Sequence, residues 1–174
     1  MGKANYQQPT GRGAGWVIAQ VPLLAVSLAT PLADHLIHPR SSSGNARAAV
    51  ARAFGLAGMV TSAAMFWQAG HTLGPDLIPY PKPREGAILR HTGIYGHVRH
   101  PIYLGILVAL FSWALFWRSR LGLALVAPVC GFFVAKSRHE ERFLLAEFPE
   151  YTAYQQRTPA FIPRWRAATD ESER

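Results

Sequence analysis

Two polar segments, each beside a long apolar stretch, contain the residue types that could do chemistry. In the first segment, Arg99 and His100 directly precede Pro101, which opens an apolar run. Proline suits the first position of a helix, because its missing N–H is one that the helix does not use. Free backbone N–H groups, the helix dipole and a guanidinium would together attract a carboxylate or a phosphate. The alternative is a basic pair that lies at a membrane surface.

The second polar segment contains the adjacent pair Glu140 and Glu141, which follows the last apolar stretch without a helix breaker. Neighbouring helical residues point about 100° apart, so these carboxylates cannot both face one ligand. We expect one of them to contact a bound molecule while the other braces Arg138 or Arg142. A solvated charged face is the alternative interpretation.

Histidines near the first segment raise the question of a metal site. His97 and His100 are spaced like ligands, but no third partner or matching carboxylate is evident, and no metal is predicted. The net charge of +8 would suggest nucleic acid in a soluble chain. Here the Lys and Arg residues flank apolar stretches, so contact with an anionic lipid bilayer is the preferred explanation and no nucleic-acid partner is expected.

Four uncharged stretches must position these segments: residues 16–33, 53–70, 101–117 and 121–135. A spanning helix needs about 20 apolar residues, with a range near 17–25. The first two stretches qualify and the third is borderline. The fourth is short unless Lys136 snorkels or the helix is sheltered by protein. Only 3 residues, at 118–120, separate the last two stretches, which predicts a tight helical hairpin. The predicted fold is an all-α integral membrane protein with about four transmembrane helices and a short C-terminal hairpin.

The first and second stretches carry further signals. The first could be a signal peptide, but it exceeds the usual core of about 7–15 residues, so we expect a retained span. The second has small residues at helical spacing, such as Ala51/Gly55 and Gly58/Ser62, which allow close approach of a neighbouring helix.

The distribution of Lys and Arg predicts the orientation in the membrane. With four spans, the N-terminal tail, the second loop and the C-terminal part share one side, which carries 13 of the 18 basic residues. The positive-inside rule assigns this side, with both termini, to the cytosol. Both polar segments then lie on the same side and can converge on one place.

The combination of both segments with a C-terminal aromatic block is specific. The blocks are Tyr95-x-x-Val98-Arg99-His100-Pro101-x-Tyr103-x-Gly105, Glu140-Glu141, and Phe148 followed by Tyr151-x-x-Tyr154 and Pro159-x-Phe161-Ile162-Pro163. In this order and spacing they resemble the isoprenylcysteine carboxyl methyltransferase family and its phospholipid methyltransferase relatives. The resemblance covers roughly residues 86–165, whereas the first two stretches match only in being hydrophobic.

The resemblance implies an S-adenosylmethionine-dependent methyltransferase of a membrane, most simply the bacterial inner membrane, with a hydrophobic isoprenoid or lipid-like acceptor. It implies a tail (1–15), two N-terminal spans (16–72) and a catalytic region (73–174) with the cofactor on the cytosolic side. Arg138 and Glu140 would be catalytic, and Arg138 and Arg157 would bind the substrate. The implied cofactor contacts are Tyr95, Val98, Arg99, His100, Pro101, Tyr103, Gly105, Glu140 and Glu141.

Elementary chemistry is compatible with that implication. Transfer of a methyl group from a sulfonium depends mainly on positioning and partial desolvation. A carboxylate acceptor is already ionised at neutral pH and needs no general base, whereas an amine acceptor would need Glu140 or His100 to take its proton. The alternatives are a relative of the NADPH-dependent membrane sterol and enone reductases, and a non-catalytic four-span membrane protein.

Overall fold

The computed structural model describes residues 13–39, 46–74 and 88–163, and the regular structure in these ranges is entirely helical. The all-α prediction is therefore confirmed for the described part of the chain. The helices are α1 (Ala14–Ile37), α2 (Ala46–Leu73), a 3₁₀ helix (Gly93–Gly96), α3 (Pro101–Phe116), α4 (Arg120–Glu147) and α5 (Tyr151–Arg157).

Three of the described helices, α1, α2 and α4, are long and apolar enough to cross a membrane, with 24, 28 and 28 residues. Only 11% of the most apolar window of α1, and the same share in α2, is buried within the protein. The remaining apolar surface, which includes Val60 at 69% exposure, suits contact with lipid. At 16 residues, α3 is about 24 Å long, which is shorter than a bilayer core of about 30 Å. The count of four spans stays a prediction.

The last apolar stretch and the second polar segment form one helix, as the lack of a helix breaker between them predicted. α4 continues through Lys136 and the paired glutamates to Glu147. No glycine or proline interrupts residues 136–147, and the helix ends before Pro149, which disfavours helical geometry in the residue that precedes it. The charged run is therefore part of the same rigid element as the apolar stretch.

Close packing of α2 on α3 depends on small residues. A Cβ atom added to Gly58 would lie 2.0 Å from Ser112 Oγ, and one added to Gly55 would lie 2.8 Å from Phe116 Cβ. The Ser62 hydroxyl donates a hydrogen bond of 2.8 Å to the carbonyl oxygen of Gly105. The predicted role of the small residues in α2 is confirmed.

The predicted hairpin is formed by α3 and α4. They are joined by a turn at residues 117–119, where Arg118 has a positive φ of 57°. Since the helices run in opposite directions, the start of α3 and the end of α4 lie together. We call this the motif end, and the opposite end, at residues 117–119, the turn end. Between the ends, Leu110, Val129 and Phe133 form a buried core.

Candidate functional site

Arg99, at the start of α3, ties three parts of the motif end together. Its Nε and Nη2 atoms each lie 2.8 Å from Glu141 Oε1, near the end of α4. Its Nη1 atom donates to the carbonyl oxygen of Gln155 at 3.0 Å, and to that of Thr158. A guanidinium has five N–H donors, and the protein itself uses several of them here. We call this arrangement the Arg99 clasp.

Backbone hydrogen bonds extend the Arg99 clasp. The N–H of Arg99 donates to the carbonyl oxygen of Pro159 at 2.9 Å, and that of His100 donates to Ala160 at 3.1 Å. Residues 148–163, which we call the C-terminal flap, are thereby held against the start of α3. The C-terminal aromatic block of the sequence motifs therefore lies at the motif end.

His100 is buried between aromatic rings and the same carboxylate. Its Nε2 atom lies 2.9 Å from Glu141 Oε1. Its ring stacks on Tyr103 at a centroid distance of 5.5 Å and on Phe161 at 5.8 Å. The other Glu141 oxygen accepts a hydrogen bond of 3.0 Å from the Gln155 amide. The anion predicted beside the start of α3 is therefore supplied by the protein, as the Glu141 carboxylate.

Glu140 belongs to a separate polar cluster. Its Oε2 atom accepts a hydrogen bond of 2.7 Å from the Tyr103 hydroxyl. One turn earlier, Lys136 is only 2% exposed, and its Nζ atom donates to Gln20 Oε1 at 2.6 Å. The same Nζ lies 5.2 Å from the centroid of the Tyr103 ring. Of the two alternatives for the fourth stretch, the structure shows shelter by protein and not snorkelling, since Gln20 of α1 and the Tyr103 ring face provide partners for Lys136 inside the protein.

The paired glutamates thus diverge, as the helical geometry predicted. The bracing partner differs from the prediction, however: Glu141 holds Arg99 of α3, whereas Arg138 or Arg142 of its own helix was expected. The reason is geometric, because α3 brings a cation directly against this face of α4.

Buried tyrosines line the C-terminal flap. Tyr151 and Tyr154 lie three residues apart on α5, and the Tyr154 hydroxyl donates a hydrogen bond of 2.6 Å to the carbonyl oxygen of Tyr95. Burial raises the pKa of Tyr154 to about 12, and burial followed by the Glu140 charge raises that of Tyr95 further. The Tyr151 hydroxyl is buried and has no hydrogen-bond partner among the described residues. A buried donor without a partner is a candidate contact for a ligand.

Other predicted cofactor contacts lie in packed surroundings. Val98 and Pro101 are among the most deeply buried side chains of the protein. Gly105 faces α2, where an added Cβ would lie 3.2 Å from the Phe66 ring. The small size of Gly105 therefore serves helix packing, and its role as a cofactor contact stays a prediction.

The predicted substrate-binding arginines lie outside the buried clusters. Arg138 and Arg157 are both exposed, and the Arg157 Nε donates back to the Ala153 carbonyl oxygen of its own helix at 3.1 Å. The largely buried cations described at the motif end are Arg99 and Lys136. Sequence reasoning did not assign Lys136 or Gln20 to the site, although polar groups within apolar membrane helices are functional candidates.

No group of three or more His, Cys, Asp and Glu side chains within residues 13–39, 46–74 and 88–163 is arranged to hold a metal ion. His97 is exposed, and His100 is engaged by Glu141.

Comparison with known families decides the classification. The sequence model of the phospholipid methyltransferase family matches residues 47–150. The chain belongs to this family. The match extends over nearly all of α2 and all of α3 and α4, and it includes both polar segments that meet at the motif end. The resemblance found in the sequence motifs is thereby confirmed.

Two curated proteins are similar to part of the chain. The cobalt-zinc-cadmium resistance protein CzcN of Cupriavidus metallidurans is 35% identical over 86 residues, which are 49% of this chain and 40% of that protein. The nickel-cobalt-cadmium resistance protein NccN of Alcaligenes xylosoxydans is 33% identical over 94 residues, which are 53% of this chain and 44% of that protein. The matched part therefore spans less than half the length of either relative.

Proposed function

We propose that this chain is an S-adenosylmethionine-dependent integral membrane methyltransferase that acts on a hydrophobic, isoprenoid or lipid-like acceptor. One observation carries the proposal. The family match contains both polar segments, and the Arg99 clasp joins these segments into one buried site. The clasp leaves Glu140, Tyr103 and Tyr151 as the groups that can face a ligand.

The chemistry of these groups fits the proposed cofactor. S-Adenosylmethionine carries an ammonium group and ribose hydroxyls, and when bound it supplies an electrophilic methyl group on a sulfonium. The Glu140 carboxylate would attract the cationic part, and the Tyr151 hydroxyl lacks a partner among the described residues. The stacked His100, Tyr103 and Phe161 rings would form an aromatic wall beside the ligand. Four packed residues would set the shape of the site: Tyr95, Val98, Pro101 and Gly105. The ion pair of Arg99 and Glu141 would keep the surrounding helices and the flap in position.

The residues around the site also suggest how an acceptor is aimed. Arg138 is exposed one turn before Glu141, so its guanidinium can reach an anionic group that arrives at the membrane surface. Arg157, on the C-terminal flap, is a second candidate for this contact. A carboxylate acceptor would attack without a general base, so that positioning by arginine and exclusion of water by the flap make up most of the protein's contribution.

We further propose that the motif end faces the cytosol of a bacterial inner membrane, with both termini on that side and residues 73–174 as the catalytic region. The excess of basic residues on that side supports this orientation. A cytosolic site would be open to a water-soluble cofactor and, through the sides of the helices, to an acceptor in the bilayer.

Calorimetry on the purified protein in detergent tests the cofactor assignment. We expect saturable binding of S-adenosylmethionine at micromolar concentration and no binding of NADPH. Glu140→Gln should weaken binding because it removes the charge and keeps the shape, whereas Arg138→Ala should keep binding and lower turnover. Binding of NADPH alone would favour the reductase alternative. The absence of binding heat with both ligands would favour a non-catalytic membrane protein.

A further inference from the structure

A polar cavity lies at the turn end, where the last turn of α1, the first turns of α2 and the turn between α3 and α4 meet. Its volume is about 230 Å³. The length of α3, about 24 Å, separates it from the motif end, so it is not part of the proposed methyltransferase site. The lining residues are His35, Arg52, Phe116, Trp117 and Arg118.

The cavity is rich in donors and in positive charge. Arg52 and Arg118 are half-buried, and within the described residues neither guanidinium forms a hydrogen bond or an ion pair. The Trp117 Nε1 atom is buried and also has no partner among the described residues. At this end the described part of the chain carries one carboxylate, Asp34, which has a partner of its own. Unlike Arg99 in the clasp, the two arginines of this cavity form no ion pair with a carboxylate of the described part of the chain.

The backbone conformation at Arg118 ends α3 and sets the position of its side chain. Its φ of 57° lies in the left-handed region, where glycine is favoured and a long side chain is unusual. The left-handed conformation is that of a helix cap, in which the Arg118 N–H donates to the Leu115 carbonyl oxygen at 3.0 Å and the Ser119 N–H donates to that of Ala114 at 2.9 Å. The cap places the Arg118 guanidinium in the wall of the cavity.

Aromatic rings indicate the depth of the cavity in the membrane. Trp113, Phe116 and Trp117 pack in succession at the end of α3, with the rings of Trp113 and Trp117 5.4 Å apart. The His35 ring lies 4.8 Å from that of Trp117. Tryptophan is enriched at the level of the lipid headgroups, where its ring meets both lipid and water. The cavity therefore lies at headgroup depth, at the opposite end of α3 from the motif end.

We infer that this cavity binds the phosphate group of an anionic phospholipid in the leaflet opposite the motif end. Guanidinium groups bind phosphate oxygens in a bidentate manner, and basic pockets between membrane helices bind lipid headgroups. The indole N–H of Trp117 would provide one further donor. This binding site is independent of the proposed enzymatic activity.

Titration of the detergent-purified protein with short-chain phosphatidylglycerol, followed by native mass spectrometry, tests the inference. Arg52→Gln should weaken phosphatidylglycerol binding about tenfold or more, since it removes a charge-assisted contact. Arg120→Gln is the matched control, because Arg120 is exposed at the same end and does not line the cavity. Equal affinities of Arg52→Gln and the parent, or equal losses in both variants, would overturn the proposal.

Two further measurements identify the ligand and separate a loss of binding from a loss of folding. Inorganic phosphate at matched concentration should not displace the lipid; displacement that depends on Arg52 would assign the cavity to a free phosphate and overturn the lipid assignment. Arg118→Gly removes the guanidinium and relieves the left-handed strain, so the thermal midpoint should stay equal or rise while lipid affinity falls. Full lipid affinity in folded Arg118→Gly would also contradict the proposal.

Discussion

The two ends of α3 use arginine in opposite ways. At the motif end, Arg99 is held by the Glu141 carboxylate and by carbonyl oxygens of the C-terminal flap. At the turn end, Arg118 lines a cavity and has no ion pair within the described residues. An arginine beside a helix end is therefore not in itself an anion site for ligands. What matters is whether another helix of the same chain supplies the anion.

The comparison also separates structural from chemical roles at the motif end. The Arg99 clasp holds the C-terminal flap by hydrogen bonds, whereas Glu140, Tyr103 and Tyr151 are the proposed ligand contacts. Variants at the two ends of α3 can therefore test the difference, in order of expected effect.

Removal of the clasp carboxylate should have the largest effect. Glu141→Ala leaves the buried Arg99 guanidinium and the His100 ring without their shared partner. Breaking a buried pair in this way typically lowers the free energy of unfolding by about 3–5 kcal/mol. The thermal midpoint in detergent measures the loss, with exposed Glu147→Ala as the control. Similar midpoints for both variants would show that the clasp does not hold the flap.

Adding a methyl group between α2 and α3 should lower the free energy of unfolding by less than Glu141→Ala does. In Gly55→Ala the new Cβ would meet the Ser112 carbonyl oxygen and the Phe116 Cβ, both at 2.8 Å, so the backbone of α3 near the turn end must shift. Overpacking of this kind costs about 1–3 kcal/mol. Gly131→Ala meets nothing within 4 Å and should be neutral or slightly stabilising. If both variants unfold at the parent's midpoint, the close approach of the helices is not needed for stability.

The hydrogen bond from Tyr154 to the Tyr95 carbonyl should contribute about 1 kcal/mol, which Tyr154→Phe removes. The folded-state pKa of Tyr154 is raised from 10.0 to about 12, so the native state keeps this proton to a higher pH than the unfolded chain. The contribution is therefore full below pH 10 and is lost as the pH rises through about 12. Unfolding of the parent and Tyr154→Phe at a series of pH values should show that their difference in free energy of unfolding disappears in that window. A difference that stays constant with pH would contradict the assignment.

Arg138→Gln should have the smallest effect on stability. The side chain is exposed, and surface substitutions usually change the free energy of unfolding by less than about 0.5 kcal/mol. Any loss of turnover in this variant would then report on the acceptor rather than on folding. A large drop in the thermal midpoint would place Arg138 in the framework of the motif end instead.

Much of the framework could be predicted from the sequence. The short link between the last two apolar stretches dictates an antiparallel pair, and that pair brings His100 and Glu141 to the same end. The family resemblance followed from the same residues. The continuation of α4 beyond its apolar part was also predictable, because a helix continues until a breaker ends it and none follows before Pro149.

The pairings between helices could not be predicted. Lys136 meets Gln20, which is 116 residues away in the chain, only because α1 and α4 pack with one particular rotation. Likewise, Glu141 turns toward Arg99 and not toward the arginines of its own helix. Sequence spacing determines which residues share a face of one helix, but the rotation and register of packed helices decide which faces meet.

The central claim is methyl transfer to a membrane-borne acceptor, and transfer from methyl-labelled S-adenosylmethionine into membrane extracts tests it most directly. The account predicts label in the fraction soluble in organic solvent with the parent protein, a strong loss with Glu140→Gln, and parent-like transfer with Arg120→Gln. Incorporation by the parent no greater than that by Glu140→Gln, with both proteins folded, would contradict it.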